Sequence, residues 1–177
     1  MRGGGILKVE LCPLETEDAE EFVTDNQEAF NYGALEEFGV RDTHFEEDGQ
    51  IISRQTILDC IGEGQAFRIL ADGRKAGGAV IRLRGSRGSL ELLFVSPALH
   101  SRGVGHAAWL EIEKRFPEVK VWETCTPYFE KRNIHFYVNR CGFHIVEFFF
   151  SRHPGPDSAD APSEEDGFFR FEKRMPR

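Results

Sequence analysis

His100, Ser101, Arg102, Gly103, Val104, Gly105 and His106 stand together where apolar residues begin to recur at helical spacing, at Val104, Ala108, Ile112 and Phe116. Glycines there sit at a helix N-terminus. That end carries unpaired main-chain N–H groups and the positive pole of the helix dipole, and residues without a Cβ let an anion come close. The chemistry this predicts is capture of a phosphate or diphosphate, with Arg102 adding positive charge.

Spacing separates the candidate phosphate ligands. A P-loop needs Lys then Ser or Thr after its second glycine, whereas Gly105 is followed by His106 and Ala107. A dinucleotide fingerprint fits better, with Gly103, Gly105 and Ala108 at its small positions and Glu123 at the end of a later apolar run where the ribose acid belongs. Against it, seven residues separate Val95 from Gly103, and too little chain remains after Glu123 for the other strands and helices of that fold.

The order VSPALHSRGVG, with Val95, Pro97, Gly103 and Gly105, resembles the acetyl-CoA diphosphate loop of the GNAT (Gcn5-related N-acetyltransferase) superfamily. His100 stands where that pattern has Gln or Arg. A second block, NIHFYVNRCGF from Asn133 to Phe143, is similar to the later family segment in which a helix carries Asn and Tyr and ends at Gly-Phe. Here Tyr137 lies five residues before Gly142, where four is usual. The resemblance covers about Lys75 to Phe150 and implies an acetyl-CoA-dependent N-acyltransferase acting on a primary amine of a small molecule or peptide. The alternative is a non-catalytic CoA-binding or protein-interaction module of the same fold.

Acetyl transfer needs aligned substrates, donors for the developing oxyanion and a proton for the departing thiolate. The resemblance implies that the backbone of Leu93, Phe94 and Val95 meets the pantetheine arm and oxyanion, and that Asn133 binds the same arm. Tyr137 is the expected proton donor, since a phenol with an ordinary pKa of about 10 is protonated at neutral pH. Glu91 and Glu123 are the candidate bases, each needing burial to bring its pKa toward neutrality. The family also implies that the loop Val40 to Gln50, with Arg41, Asp42, His44, Phe45, Glu46 and Glu47, shapes the acceptor pocket.

These residues need a scaffold. Ile6 to Leu11 reads as a first strand, and Thr16 opens a capping-box-like TEDAEEF helix closed at Asn31-Tyr32-Gly33. Helical pieces follow at Ala34 to Phe38 and Ser53 to Ile61. Ala66 to Leu70 and Gly77 to Leu83 flank Asp72-Gly73, a strong hairpin signal. Leu90 to Val95 and Val119 to Cys125 read as parallel neighbours joined by the glycine-led helix. Phe129 to Cys141 is the next helix, and Phe143 to Phe150 and Gly167 to Lys173 are the last strands. The expectation is an α/β (α+β) fold: a mixed, mostly antiparallel central sheet of about six or seven strands flanked by helices, its two parallel strands splayed for acetyl-CoA. Residues 1–177 form a single domain in this reading, with 151–166 a flexible loop. Phe148-Phe149-Phe150 reads as core, with a second face available for a homodimer contact.

Composition sets the outer limits. The 177 residues include 40% apolar residues and sixteen Phe, enough for a packed core. A net charge of −8 and a pI near 5.3 leave no basic footprint for nucleic acid. No run is long and apolar enough for a membrane span. Cys12, Cys60, Cys125 and Cys141 show neither a CxxC pair nor metal-ligand spacing, which predicts reduced thiols, no metal and a cytoplasmic location.

Overall fold

The computed structural model describes residues 7–36, 45–156 and 167–177. Seven strands form one sheet: β1 (Val9–Pro13), β2 (Gln65–Ala71), β3 (Arg74–Arg84), β4 (Arg87–Val95), β5 (Val121–Pro127), β6 (His144–Phe149) and β7 (Phe168–Arg174), in the order β1-β2-β3-β4-β5-β7-β6. The helices are α1 (Ala19–Asn31), α2 (Arg54–Glu63), α3 (Val104–Arg115) and α4 (Lys131–His135). The sheet is mixed and mostly antiparallel, with β4 and β5 its parallel pair over Arg87–Ser89 and Val121–Glu123. That topology removes the dinucleotide-fold reading, which requires a mostly parallel sheet. No helix among the described residues is long and apolar enough to cross a membrane.

The chain groups into two compact units, Met1–Arg82 with Glu91–Arg115 and Leu83–Leu90 with Phe116–Arg177. In the first, the β2–β3 hairpin turns at Asp72 (φ 50°) and Gly73 (φ 79°), the left-handed pair that an Asp-Gly turn demands. The core joins Phe22 and Val23 of α1 and Ile57 of α2 to Val80, Leu92 and Phe94 of the sheet, with the Phe22 and Phe94 rings edge to face at 5.0 Å. β3 and β4 approach so closely that a Cβ on Gly77 would lie 2.1 Å from the Phe94 carbonyl oxygen. Gly77→Ala is therefore expected to lower stability by about 2 kcal/mol or more, read as a shift of the urea midpoint at unchanged slope; an unchanged midpoint would show that the strands can part there.

The capping box at Thr16 does not form. Thr16–Asp18 is a 3₁₀ turn, α1 starts at Ala19, and Asp18 makes no side-chain cap. Its carboxylate is taken by Arg68 of β2, which donates from Nε (2.5 Å) and Nη2 (3.1 Å), and by Lys75 Nζ at 2.5 Å. α2 does have its cap: the Ser53 hydroxyl accepts from Thr56 N–H at 3.0 Å. The first strand begins later than the alternation predicts, at Val9; Ile6 lies outside the described residues, as do Phe38 and 157–166 of the expected loop. Past Asn31 the chain does not close but continues into a π-helical turn, Tyr32–Glu36.

In the second unit β7 lies between β5 and β6, and Trp122, Phe143 and Phe171 are fully buried. The expected core role of Phe148-Phe149-Phe150 does not hold: Phe148 is exposed and the other two are half-buried, because β6 is the sheet's edge.

Candidate functional site

The cradle begins where β4 stops. Ser96 N–H donates to the Ala76 carbonyl at 2.8 Å, and Pro97–Leu99 makes one 3₁₀ turn. His100 then folds back, its Nε2 donating to the Val95 carbonyl at 2.9 Å while its ring meets that of Tyr32 edge to face at 5.2 Å. The ring thus fastens the loop to the strand end. Tyr32 was not legible as a partner, because the π-helical turn carrying it has no residue signature.

Two residues in three then adopt left-handed backbone, Ser101 at φ 63° and Gly103 at φ 79°. For Ser101 this costs on the order of 1–2 kcal/mol, and such strain persists where surrounding structure fixes it, commonly at ligand sites. Among the described residues, apart from its chain neighbours, nothing lies within 4 Å of an ideal Cβ on Gly103, so the space above it is open. Ser101, Arg102 and Gly103 are exposed, whereas Val104 is buried and anchors α3. Ala107 N–H to the Gly103 carbonyl, at 3.0 Å, is the first bond of the helix. The amides of Val104, Gly105 and His106 therefore have no intrahelical acceptor and point out of the positive end of a 12-residue helix. This geometry can receive a diphosphate.

Other predicted residues of this unit lie on β4, where side chains alternate: Leu92 and Phe94 are buried, Glu91, Leu93 and Val95 half-buried. Glu91 lies 3.9 Å from Arg82 Nε, and the Arg82 guanidinium also pairs with Glu63. Of the expected acceptor loop, Arg41, Asp42 and His44 lie outside the described residues. Glu46 and Glu47 have structural duties: Glu46 accepts from Ser53 N–H (2.8 Å) and the Thr56 hydroxyl (2.7 Å), and Glu47 accepts from Gln27 Nε2 (2.7 Å).

The second unit holds Glu123, Asn133 and Tyr137. Glu123 is gripped by two guanidiniums, those of Arg87 and Arg170, which also reach Glu172, while Arg170 continues to Glu147. The Asn133 amide donates to the Thr126 hydroxyl at 3.2 Å. Tyr137 packs among Phe136, Phe143 and Phe171, its hydroxyl hydrogen-bonded to Thr124, and burial pushes its pKa up to about 12. The Thr124 hydroxyl is placed to donate to the Leu90 carbonyl at 3.0 Å, so the Tyr137 O–H can donate to the Thr124 oxygen in a short relay.

The unusual spacing of Tyr137 has a structural cause. Phe136–Arg140 is a π-helical turn, closed by Cys141 N–H to the Phe136 carbonyl at 3.0 Å. Such a turn absorbs one extra residue, so five residues bring the chain about as far around the axis as four do in an α-helix. Tyr137 accordingly stands one turn before Gly142.

Comparison with known proteins agrees with this geometry. Residues 20–143 match the model of the acetyltransferase (GNAT) family. An uncharacterized protein of Bacillus subtilis, YrkN, is 44% identical over 179 residues, spanning 95% of this chain and 94% of its own. The ribosomal-protein-S18-alanine N-acetyltransferase of Escherichia coli superposes with a TM-score of 0.65 at 18% identity, covering 96% of each chain. The PaiA N-acetyltransferase of Thermoplasma acidophilum, solved with coenzyme A, does so with a TM-score of 0.63 at 17% identity over 95% of this chain and 99% of that one. With the seven-stranded mixed sheet and the glycine-led turn after β4, these matches establish that the chain belongs to the acetyltransferase (GNAT) family.

Proposed function

We propose that this protein is one GNAT domain that transfers the acetyl group of acetyl-CoA directly to a primary amine of a small molecule or peptide in the cytoplasm. The observation that carries the reading is the left-handed pair Ser101 and Gly103, which aims the first-turn amides of α3 outward beside open space. The diphosphate docks on the amides of residues 101–106 with Arg102 alongside, and His100 holds that loop in place. Main-chain groups of Leu93, Phe94 and Val95 meet the pantetheine arm, with Asn133 as a further partner. Fixed donors around the thioester carbonyl supply the largest share of the rate.

Proton transfer falls to Tyr137, which returns a proton to the thiolate. A phenol with a pKa near 12 stays protonated across the working range. Tyr137→Phe is expected to lower kcat about a hundredfold and leave acetyl-CoA affinity within twofold; turnover at the wild-type rate would move the proton donor elsewhere. Of the two carboxylates, Glu91 is the better base, directly or through water, because both guanidiniums already claim Glu123.

That grip on Glu123 and the burial of Tyr137 also favour a second reading, a CoA-binding module without turnover. Free thiol released from acetyl-CoA separates the two. The assay panel is a peptide beginning with alanine and phosphinothricin, chosen from the names of structural neighbours, with a lysine peptide and a diamine. Thiol release with any of them supports the enzyme; acetyl-CoA binding without release across the panel supports the module.

A further inference from the structure

Asn26 is the buried polar side chain of α1, and its amide is left unpaired among the described residues. It is fully buried, and neither its Nδ2 nor its Oδ1 has a hydrogen-bond partner among the described residues. Nearby polar side chains of the same helix are employed. Gln27 donates to Glu47 (2.7 Å) and the Ile52 carbonyl (3.2 Å), and Asn31 bonds Gln50 (2.8 Å) and Ile51 N–H (3.0 Å). Buried polar atoms without partners are costly and rare, and an apolar residue at this position would avoid the cost.

Two contacts fix where this amide lies. Phe22, one turn earlier on the same buried face, meets Phe94 at 5.0 Å, and Tyr32, six residues later, meets His100 at 5.2 Å. At 1.5 Å of rise per residue, Asn26 is about 6 Å along the axis from Phe22 and about 9 Å short of Tyr32. It is therefore level with the passage from the end of β4 into the diphosphate loop, where a thioester arm and an incoming amine must meet under the acetyl-transfer reading, on which this inference rests.

We infer that the Asn26 carboxamide is a substrate-binding group, pairing with an amide that offers a carbonyl oxygen to Nδ2 and an N–H to Oδ1. Both orphaned atoms are then satisfied by one planar partner. That chemistry occurs in the pantetheine arm of acetyl-CoA and in the backbone of a peptide acceptor. Next to Asn26 on the helix, Gln27 and Asn31 hold residues 47–52 to α1 by side-chain hydrogen bonds.

The test uses Asn26→Leu, close in size and without polar atoms, with Asn26→Ala as a second variant should the first not fold. Calorimetry gives the affinities for acetyl-CoA and for 3′-phospho-ADP, which lacks the arm; steady-state kinetics give KM for whichever amine of the panel turns over fastest. A tenfold or greater loss of acetyl-CoA affinity with 3′-phospho-ADP unchanged assigns the arm. A tenfold or greater rise in KM with acetyl-CoA affinity unchanged assigns the acceptor. Smaller changes in both, in a folded variant, overturn the inference, and where no amine is turned over the acetyl-CoA affinity decides alone. Failure of the wild type to bind acetyl-CoA would instead overturn the acetyl-transfer reading.

Discussion

Gly103→Asp is expected to weaken acetyl-CoA binding at least a hundredfold, about 2.7 kcal/mol, with little change in melting temperature. The stability forecast follows from the open space around residue 103, where an added Cβ meets nothing within 4 Å among the described residues beyond its chain neighbours. Left-handed backbone at φ 79° adds a modest cost, smaller for Asp and Asn than for most residues. The binding forecast follows from bulk and like charge placed against a diphosphate. Gly103→Asn, equal in size but neutral, should lose less, and the gap between the two variants should narrow as salt rises. Calorimetry with acetyl-CoA reads all of this, and wild-type affinity in Gly103→Asp would remove the cradle from the loop.

Arg68→Leu is the variant expected to damage the fold most. Arg68 is 4% exposed, its guanidinium bonded to Asp18 and to Asp25 (2.8 Å) and set 5.3 Å over the Phe22 ring. Removing the cation leaves half-buried Asp18 with Lys75, and breaking a largely buried pair in this way costs about 3 kcal/mol, the low end for such pairs. Arg68 and Lys75 hold the Asp18 carboxyl well below the usual carboxylate range, Arg68 making the larger contribution. A carboxyl depressed by folding adds stability at pH values above its unfolded pKa of about 3.9, and that stability is lost as pH falls through the folded value. The wild-type advantage over Arg68→Leu should therefore be full at neutral pH and shrink below about pH 4. Urea unfolding of both proteins at several pH values checks this, and a pH-independent difference would show that packing on Phe22, not charge, is what Arg68 supplies.

Legibility in the sequence tracked how local the physics was. Asp72-Gly73 turns a hairpin through its own backbone preferences, and Gly103 and Gly105 mark a helix start by lacking a Cβ, so β2, β3, β4 and α3 followed from short windows. The Thr16 capping box looked equally local, yet Arg68, 50 residues away in sequence, claims Asp18. No residue pattern announces an i→i+5 hydrogen bond, which is why neither Tyr32 beside His100 nor the corrected angular position of Tyr137 was visible. Glu123 was readable as a strand carboxylate, but its partner Arg170 arrives on a strand whose place in the sheet is set by tertiary pairing. Asn26 hides among apolar neighbours at helical spacing, and only the lack of a partner distinguishes it.

Because β7 occupies the middle of the β5-β7-β6 ladder, both of its neighbours emerge from the ribosome before it does. Until residues 168–174 appear, β6 has no strand to zip onto, and the main-chain N–H and C=O groups that β7 will pair are open to chaperones or to other nascent chains. Completion of this half is thus timed by translation, and slowing the codons just upstream of Phe168 would lengthen the interval in which aggregation competes with closure.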